Sequence, residues 1–469
     1  MKTQTLSIIK KIYLLIVLIT FSVGCNTKKD ESIHKYFVAL NGNDTNIGSM
    51  KAPFRTIKKG VSVLSLGDTL IVSAGNYGHE YDINISKSGS KNFPIVIMAE
   101  QQGSVILKGL RKKGEEDYSE KGGIVFNVIN ASYVIIDGFY ITDYSVGVNL
   151  MGKVQNEKDR PHSIIVKRCV FNNNGEVGVQ TSRVDSTIIS ECQFISDKIQ
   201  KKDYIIAVQD YGCNFFNTKY SIVEGCYFFG AHHQSLSFKE GNKNCIARRN
   251  IFEGAQYTAI YLGQNRRADA TNNNANPVCE NITAEYNIVR PAKGFRVKSP
   301  LRVDNCKNAI IRNNYFEGFD ETNNTGGINV WNEALGKIEI YNNILAFGKK
   351  NEHSAGISLE LGGSSEVNVL IHNNTIYNVV RDLELDRYRG DNTEQNFSFE
   401  KNIAYKCKHS KVSLKNNFIE NPEFVNGIPA QLLISVIPEK KKFSSYYKKL
   451  TKPFYLKHNS KAKGFGVKF

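Results

Sequence analysis

The sequence predicts an all-β fold, a single-stranded right-handed parallel β-helix (a solenoid) carrying a helical cap at its N-terminus. Three observations carry that prediction. Short strand-like segments recur at residues 134–139, 164–171, 188–194, 222–226, 246–252, 282–288, 310–314, 338–343, 370–374 and 397–402. One place in each returns as Gly138, Cys169, Cys192, Cys226, Asn250, Asn287, Asn314, Asn343, Asn374 and Asn402, in steps of 23 to 37 residues. No 3.6-residue periodicity lies between them, so the units are strands and turns stacked as coils. Leucine-rich repeats would keep a fixed Leu spacing and propeller blades would be longer, whereas β-helix coils vary in length at their corners. Asn in register suits such a corner, because it tolerates the left-handed conformation and its amide bonds from coil to coil.

The elements follow in order. Lys2, Lys10 and Lys11 precede an apolar stretch at 12–21, which is too short for a span of about 20 residues and leads through Ser22-Val23-Gly24 to Cys25. This reads as a lipoprotein signal peptide over 1–24 with lipidation (palmitate) at Cys25, followed by a charged tether over 25–35. The expected location is the outer membrane, facing the cell surface or else the periplasm. The solenoid should occupy 36–469, with 36–75 as N-terminal cap and first coil. There Tyr36-Phe37-Val38-Ala39 is a strand, Asn41-Gly42-Asn43-Asp44 a turn, and Pro53-Phe54-Arg55-Thr56-Ile57 opens an amphipathic helix to about Leu64. Residues 420–469 should close the other end, with the lysine-rich run at 439–449 as solvated surface.

Composition narrows the function. Thirty-seven Gly against ten Pro favours strands and tight turns, and 61 Lys plus Arg against 45 Asp plus Glu leaves a formal charge of +16. Such a surplus favours a polyanionic partner, and export makes nucleic acid an improbable one. The cysteines at 169, 192, 213, 226, 245, 279, 306 and 407 include no Cys-x-x-Cys pair. Several of them, Cys169, Cys192 and Cys226, recur at one repeated place and read as a buried thiol ladder, and no structural metal site is expected.

A second set of strands can be laid in register at 177–180, 206–209, 236–239, 259–262, 295–298, 328–331, 357–360 and 383–386. Their first and third positions are mostly apolar and should face the core; the second and fourth then face solvent. One outward row reads Gln180, Gln209, Lys239, Leu262, Lys298, Trp331, Glu360, Asp386, and the other Gly178, Ala207, Ser237, Ile260, Arg296, Asn329, Ser358, Glu384. Coils stacked about 4.8 Å apart match the length of one sugar residue. Cations beside the chain's one tryptophan suit an acidic glycan, through charge and ring stacking. In this frame Tyr261 points inward.

Around Lys239 the sequence resembles a known family. Ser235-Leu236-Ser237-Phe238-Lys239-Glu240-Gly241 followed by Asn244-Cys245-Ile246-Ala247-Arg248-Arg249-Asn250-Ile251-Phe252 is similar to the lysine-bearing segment of chondroitinase B and the alginate lyases. The caps also resemble those of secreted β-helix polysaccharide lyases. The resemblance implies β-elimination at the C4–O bond of a uronic acid in an acidic, sulfated or unsulfated, glycan, with Lys239 as base. It departs from the family in two places. The family's catalytic arginine slot holds Tyr261-Leu262-Gly263-Gln264, and His232-His233-Gln234 replaces its calcium-binding glutamates. No cofactor is therefore expected, with calcium the alternative. Neutralisation of the carboxylate falls to Arg296 or Lys298, and the general acid to His233 or His232, with Tyr261 the alternative. Gln209, Asn329, Trp331 and Glu360 complete the expected groove. A monomer is expected. Two other functions fit the same residues: dehydration of a terminal uronate by the same basic step, and non-catalytic glycan binding. A pectin-type hydrolase would need aspartates where this row is basic.

Overall fold

The computed structural model describes residues 33–468 except 112–121, 155, 201–204, 231, 264–277, 321–325, 332–333, 349–354, 362–366, 386–396, 412–413, 428 and 432–442. The signal peptide, Cys25, most of the tether, Gln264 and Asp386 lie outside the described residues, as does residues 439–442 of the lysine-rich run. Three parallel sheets of 13, 12 and 11 strands run the length of the body, and the chain visits them in turn. The expected all-β parallel β-helix is the fold observed.

The interior is built from the inward positions of these strands. Phe171, Phe194, Phe228 and Phe252 stack with ring centroids 5.1, 4.8 and 4.6 Å apart and planes within 12°. That spacing is the coil repeat itself. Each fully buried Phe contributes about 1.5–3 kcal/mol of apolar burial. Cys169, Cys192 and Cys226 form the expected thiol ladder; Cys192 and Cys226 donate to main-chain carbonyls of the coil before, and Cys169 to the Lys167 carbonyl of its own coil. All eight described cysteines are free thiols.

From Asn250 the ladder becomes one of amides. The Asn250 backbone N–H and Nδ2 both donate to Asn287 Oδ1, and the pattern repeats through Asn314, Asn343, Asn374, Asn402 and Asn417. The left-handed residue at this corner is the one before the ladder amide, as at Asn313, Asn342 and Asn373. Gly138 takes that left-handed place, so Phe139 stands level with Cys169, one residue on from the expected alignment.

At the N-terminus the strand Lys35–Val38 pairs with Thr69–Val72. The helix covers only Ile57–Val63, because Thr56 serves as its N-cap and accepts from the Lys59 N–H. Part of the C-terminal segment packs on the side of the solenoid, while its tail reaches the last coil, where the Gly466 N–H donates to Lys401 O. The segment's helix, Phe443–Thr451, runs along the outer side of the 12-stranded sheet. Tyr446, Leu450 and Phe454 there join Tyr227, Ile251, Ile288, Tyr315, Ile344 and Tyr377 in a second apolar cluster. Beneath it, Arg290 pairs with Glu317 at 3.0 Å, Tyr315 donates to Glu317, and Tyr227 donates to Glu253.

The 11-stranded sheet, which carries the predicted groove, departs from expectation in several coils. Ile205–Ala207 pairs antiparallel with Lys198–Gln200 as a corner hairpin, and the sheet position is taken by Tyr211–Phe216, with Cys213 and Phe215 inward. Residues 292–295 form a turn closed by the Ala292–Phe295 bridge, Val297 bridges to Phe319, and Ser299–Val303 enters the sheet where 295–298 was expected, with Leu301 and Val303 inward. A third coil is out of phase by one residue. Ile260 and Leu262 face the core, and Tyr261 stands outward between Ser237 and Arg302. A one-residue slip moves every side chain to the opposite face.

Candidate active site

The outward face of this sheet carries three rows. In the first, Gln180, Asn214, Ser237, Tyr261, Arg302, Asn329, Ser358 and Glu384 stand in register. In the second, Ser182, Phe216 and Lys239 are level, and further along Trp331 is level with Glu360. Gln180 is thus level with Ser237, two residues from its expected match to Lys239. The third row lies at the corner preceding the strands. The amides of Tyr211, Gln234, Thr258 and Ser299 bond to the carbonyls of Glu176, Asp210, His233 and Tyr257, which places those four and Lys298 in successive coils.

Lys239 ends its strand, and the following turn is pinned from inside. The wholly buried Asn242 donates to the Lys239 and Phe215 carbonyls and accepts from Thr218. Lys239 is 8% exposed. Its ammonium lies 4.4 Å from the centre of the Tyr211 ring and 5.9 Å from that of Phe216. Burial brings its pKa down to about 8, against a small upward pull from Glu240.

His233 sits beside this amine, its ring edge-on to Tyr211 at 6.0 Å and tilted against Tyr257 at 4.9 Å. Its outer edge reaches solvent. The surrounding walls chiefly, then the charges of Lys239 and Lys298, hold its pKa below the usual histidine value. Lys298 reaches over the Tyr257 ring at 5.7 Å. On the other side of His233 are Asp210, whose pKa burial lifts to about 6 while Arg111 opposes and Glu176 adds to the rise, and Glu176, also raised by burial.

Two coils along, the Arg302 guanidinium is held between rings, 3.1 Å from the centre of Trp331 and 5.2 Å from that of Tyr261. Asp304 is fully buried and accepts from Arg302 at 2.8 Å and from the Tyr261 hydroxyl at 3.0 Å. Gly263, level with Asp304 by its backbone bonding, adds no side chain between Lys239 and this stack. Its φ of +98° and the closeness of the Asp304 carbonyl require glycine there.

The remaining predicted residues divide. Asn329 is in the first row but is 1% exposed and committed to Ser299 Oγ and the Gly326 backbone. Trp331 and Glu360 are both on the outward face. His232 and Gln209 are not: both are fully buried, Gln209 Nε2 lies 3.4 Å from His232 Nε2, and burial drives the His232 pKa down to about 3. That ring is a neutral interior group and leaves His233 as the groove histidine. Arg296 is exposed on the 292–296 turn, outside the sheet. The arginine in the row is Arg302, four residues on from Lys298. Asp210, Tyr211, Tyr257, Arg302 and Asp304 were missed by sequence reading. The signal for Arg302 was the Leu301-Arg302-Val303 alternation, masked by Pro300, a residue that argues against a strand. Among the described residues of this groove, no three His, Cys, Asp or Glu side chains converge as metal ligands; the one such group lies elsewhere.

Comparison with known proteins agrees with the architecture. The family described as "Pel9A-like, right handed beta helix region" matches residues 36–351. A stretch of 73 residues is 33% identical to pectate lyase PEL9 of Emericella nidulans; it covers 16% of this chain and spans 18% of that relative's length. Among solved structures, the lacto-N-biosidase of family GH136 from Eubacterium ramulus superposes with a TM-score of 0.54 at 12% identity, covering 82% of this chain and 68% of that one. The alginate lyase AlyGC of family PL6 superposes with a TM-score of 0.50 at 15% identity, covering 92% of this chain and 56% of that one. At such identities the likeness concerns the fold. The family match covers more than half of the sequence, and so the chain belongs to the Pel9A-like right-handed β-helix family.

Proposed function

We propose that this protein is a carbon–oxygen lyase that performs β-elimination on a uronic acid in an acidic poly- or oligosaccharide, with Lys239 as the base. The observation that carries this reading is the Lys239 amine, withdrawn from water on the groove face and lowered to a pKa of about 8. An ordinary lysine, near 10.4, would be almost wholly protonated at neutral pH; a base is most useful with its pKa near the working pH. The pectate lyase and alginate lyase among the similar proteins support the same class of reaction.

The residues divide the work as follows. The neutral amine of Lys239 takes the C5 proton, the electron pair moves into a C4–C5 double bond, and the C4–O bond breaks. Lys298 and Arg302 offer positive charge to the uronate carboxylate, which makes C5–H more acidic. His233 delivers the proton to the leaving oxygen. With Lys239 neutral as the base, a uronate bound beside Lys298 offsets the remaining ammonium charge that depresses this histidine, and so favours its protonated form. The Arg302–Trp331 stack offers a flat surface to a neighbouring sugar. Lipidation at Cys25 would hold this groove at a membrane surface, and metabolic labelling with palmitate that persists in Cys25→Ala would remove that part.

The test is to incubate purified protein with uronate polysaccharides and their oligomers, following ultraviolet absorbance of the unsaturated product. Activity on at least one of them, lost in Lys239→Ala, is expected. Unchanged turnover in that variant would sink the proposal. Product mass separates chain cleavage from loss of water at a chain end.

A further inference from the structure

At the far end of the solenoid the chain gathers three different ligand types. Asp382 precedes the end of its strand, Arg381–Leu385, the last of the 11-stranded sheet. Residues 407–409 lie alongside in the following coil, held by the bonds Asp382 N–H to Lys408 O and Lys408 N–H to Val380 O. Asp382 is fully buried. Its Oδ1 accepts from the backbone amides of Leu383 and Ser410, which fixes the carboxylate and turns Oδ2 toward His409 Nδ1, 3.0 Å away. Cys407 Sγ lies 4.0 Å from the same Nδ1. One donor atom from each residue lies within 4.8 Å of the other two.

We infer that Asp382, Cys407 and His409 form a binding site for a zinc-type divalent metal ion, with three protein ligands and one position left to water. The shared nitrogen supports this over a nucleophile and base pair. A Cys–His–Asp relay uses the two ring nitrogens separately, one toward the thiol and one toward the carboxylate. Here both groups face Nδ1, as ligands around one ion do. Zinc bonds of about 2.0–2.3 Å hold ligand atoms roughly 3.3–3.8 Å apart, and the observed separations bracket that range. Sulfur with imidazole and one carboxylate suits zinc and disfavours calcium or magnesium. Cys407 also differs from the other seven thiols, which are sealed in the interior while it stands partly exposed at the rim. Binding releases the thiol proton to solvent and leaves a metal–thiolate bond. The ion ties the last strand of the groove sheet to the coil that follows, at the end where a solenoid needs closing.

The test uses the purified full chain, stripped of metal and titrated with cobalt(II). One equivalent should give tetrahedral d–d bands and a thiolate-to-cobalt charge-transfer band, and zinc should displace both. Cys407→Ser should abolish the charge-transfer band, and His409→Ala should weaken affinity at least tenfold. Zinc should raise the melting temperature of the wild type but of neither variant. Absence of the charge-transfer band in the wild type, a reading that needs no variant to fold, would overturn the site. So would a band that survives Cys407→Ser.

Discussion

At one corner of the solenoid, Asn250, Asn287, Asn314, Asn343, Asn374 and Asn402 stack with their amides bonded to one another and to neighbouring carbonyls. On the outward face of the 11-stranded sheet, Arg302 Nε, Asp304 Oδ1, Trp331 Nε1 and Gln234 Oε1 are buried without a hydrogen-bond partner among the described residues. Both columns stack polar groups at one per coil. In the first the residue is repeated, and an amide that both donates and accepts saturates itself along the stack. In the second unlike residues stand in register, so their polar groups cannot all pair. Buried polar groups left unpaired cost about 1–3 kcal/mol each. The ladder therefore belongs to stability, and the groove keeps capacity for something that arrives from outside.

Four experiments test that division. Lys239→Ala should lower kcat/KM on the accepted glycan by about 10³-fold with little change in unfolding midpoint; a large stability loss would move Lys239 to the structural side. Asn314→Ala should do the reverse. It deletes the bonds to Ala284 O and Asn343 and strands the donors of Asn287. Denaturant unfolding should record a loss of about 3 kcal/mol, with KM unchanged in the folded fraction. Arg302→Ala should raise KM about tenfold, equivalent to about 1.4 kcal/mol, while leaving the melting temperature within a few degrees. The smallest effect concerns pH. Because the base must be neutral, kcat/KM should climb as pH rises through about 8. Glu240 pulls the Lys239 pKa upward, so Glu240→Gln should move that limb to lower pH; movement to higher pH would contradict the assignment.

The fold was legible because its signals are repeated. Ten coils offer ten chances to see the same apolar pair, turn and Cys or Asn, and an error in one leaves the rest standing. The site was legible only where a coil keeps the standard length. Lys239 follows Leu236 and Phe238 in plain alternation and was found. His232 and His233 are adjacent, and sequence gave no phase for them until Gly230 and the turn placed one ring inside. Ala259-Ile260-Tyr261-Leu262 is apolar throughout and has no phase of its own, so Tyr261 was turned the wrong way. The Lys198–Ala207 hairpin and the 292–296 turn insert residues at corners, and each supplied a decoy strand with apolar residues at the right spacing. Hence Gln209 and Arg296 were named where Phe216 and Arg302 stand.

The C-terminal helix over the 12-stranded sheet bears on how the chain is made. Its partners Tyr227, Ile251, Ile288, Tyr315, Ile344 and Tyr377 are spread over some 150 residues of earlier sequence. Whether the chain emerges from a ribosome or from a membrane channel, they arrive before residues 443–454, so this greasy stripe stays uncovered until the end of the chain follows. Until then it is a natural landing place for a chaperone, and the last segment to emerge is the one that displaces it.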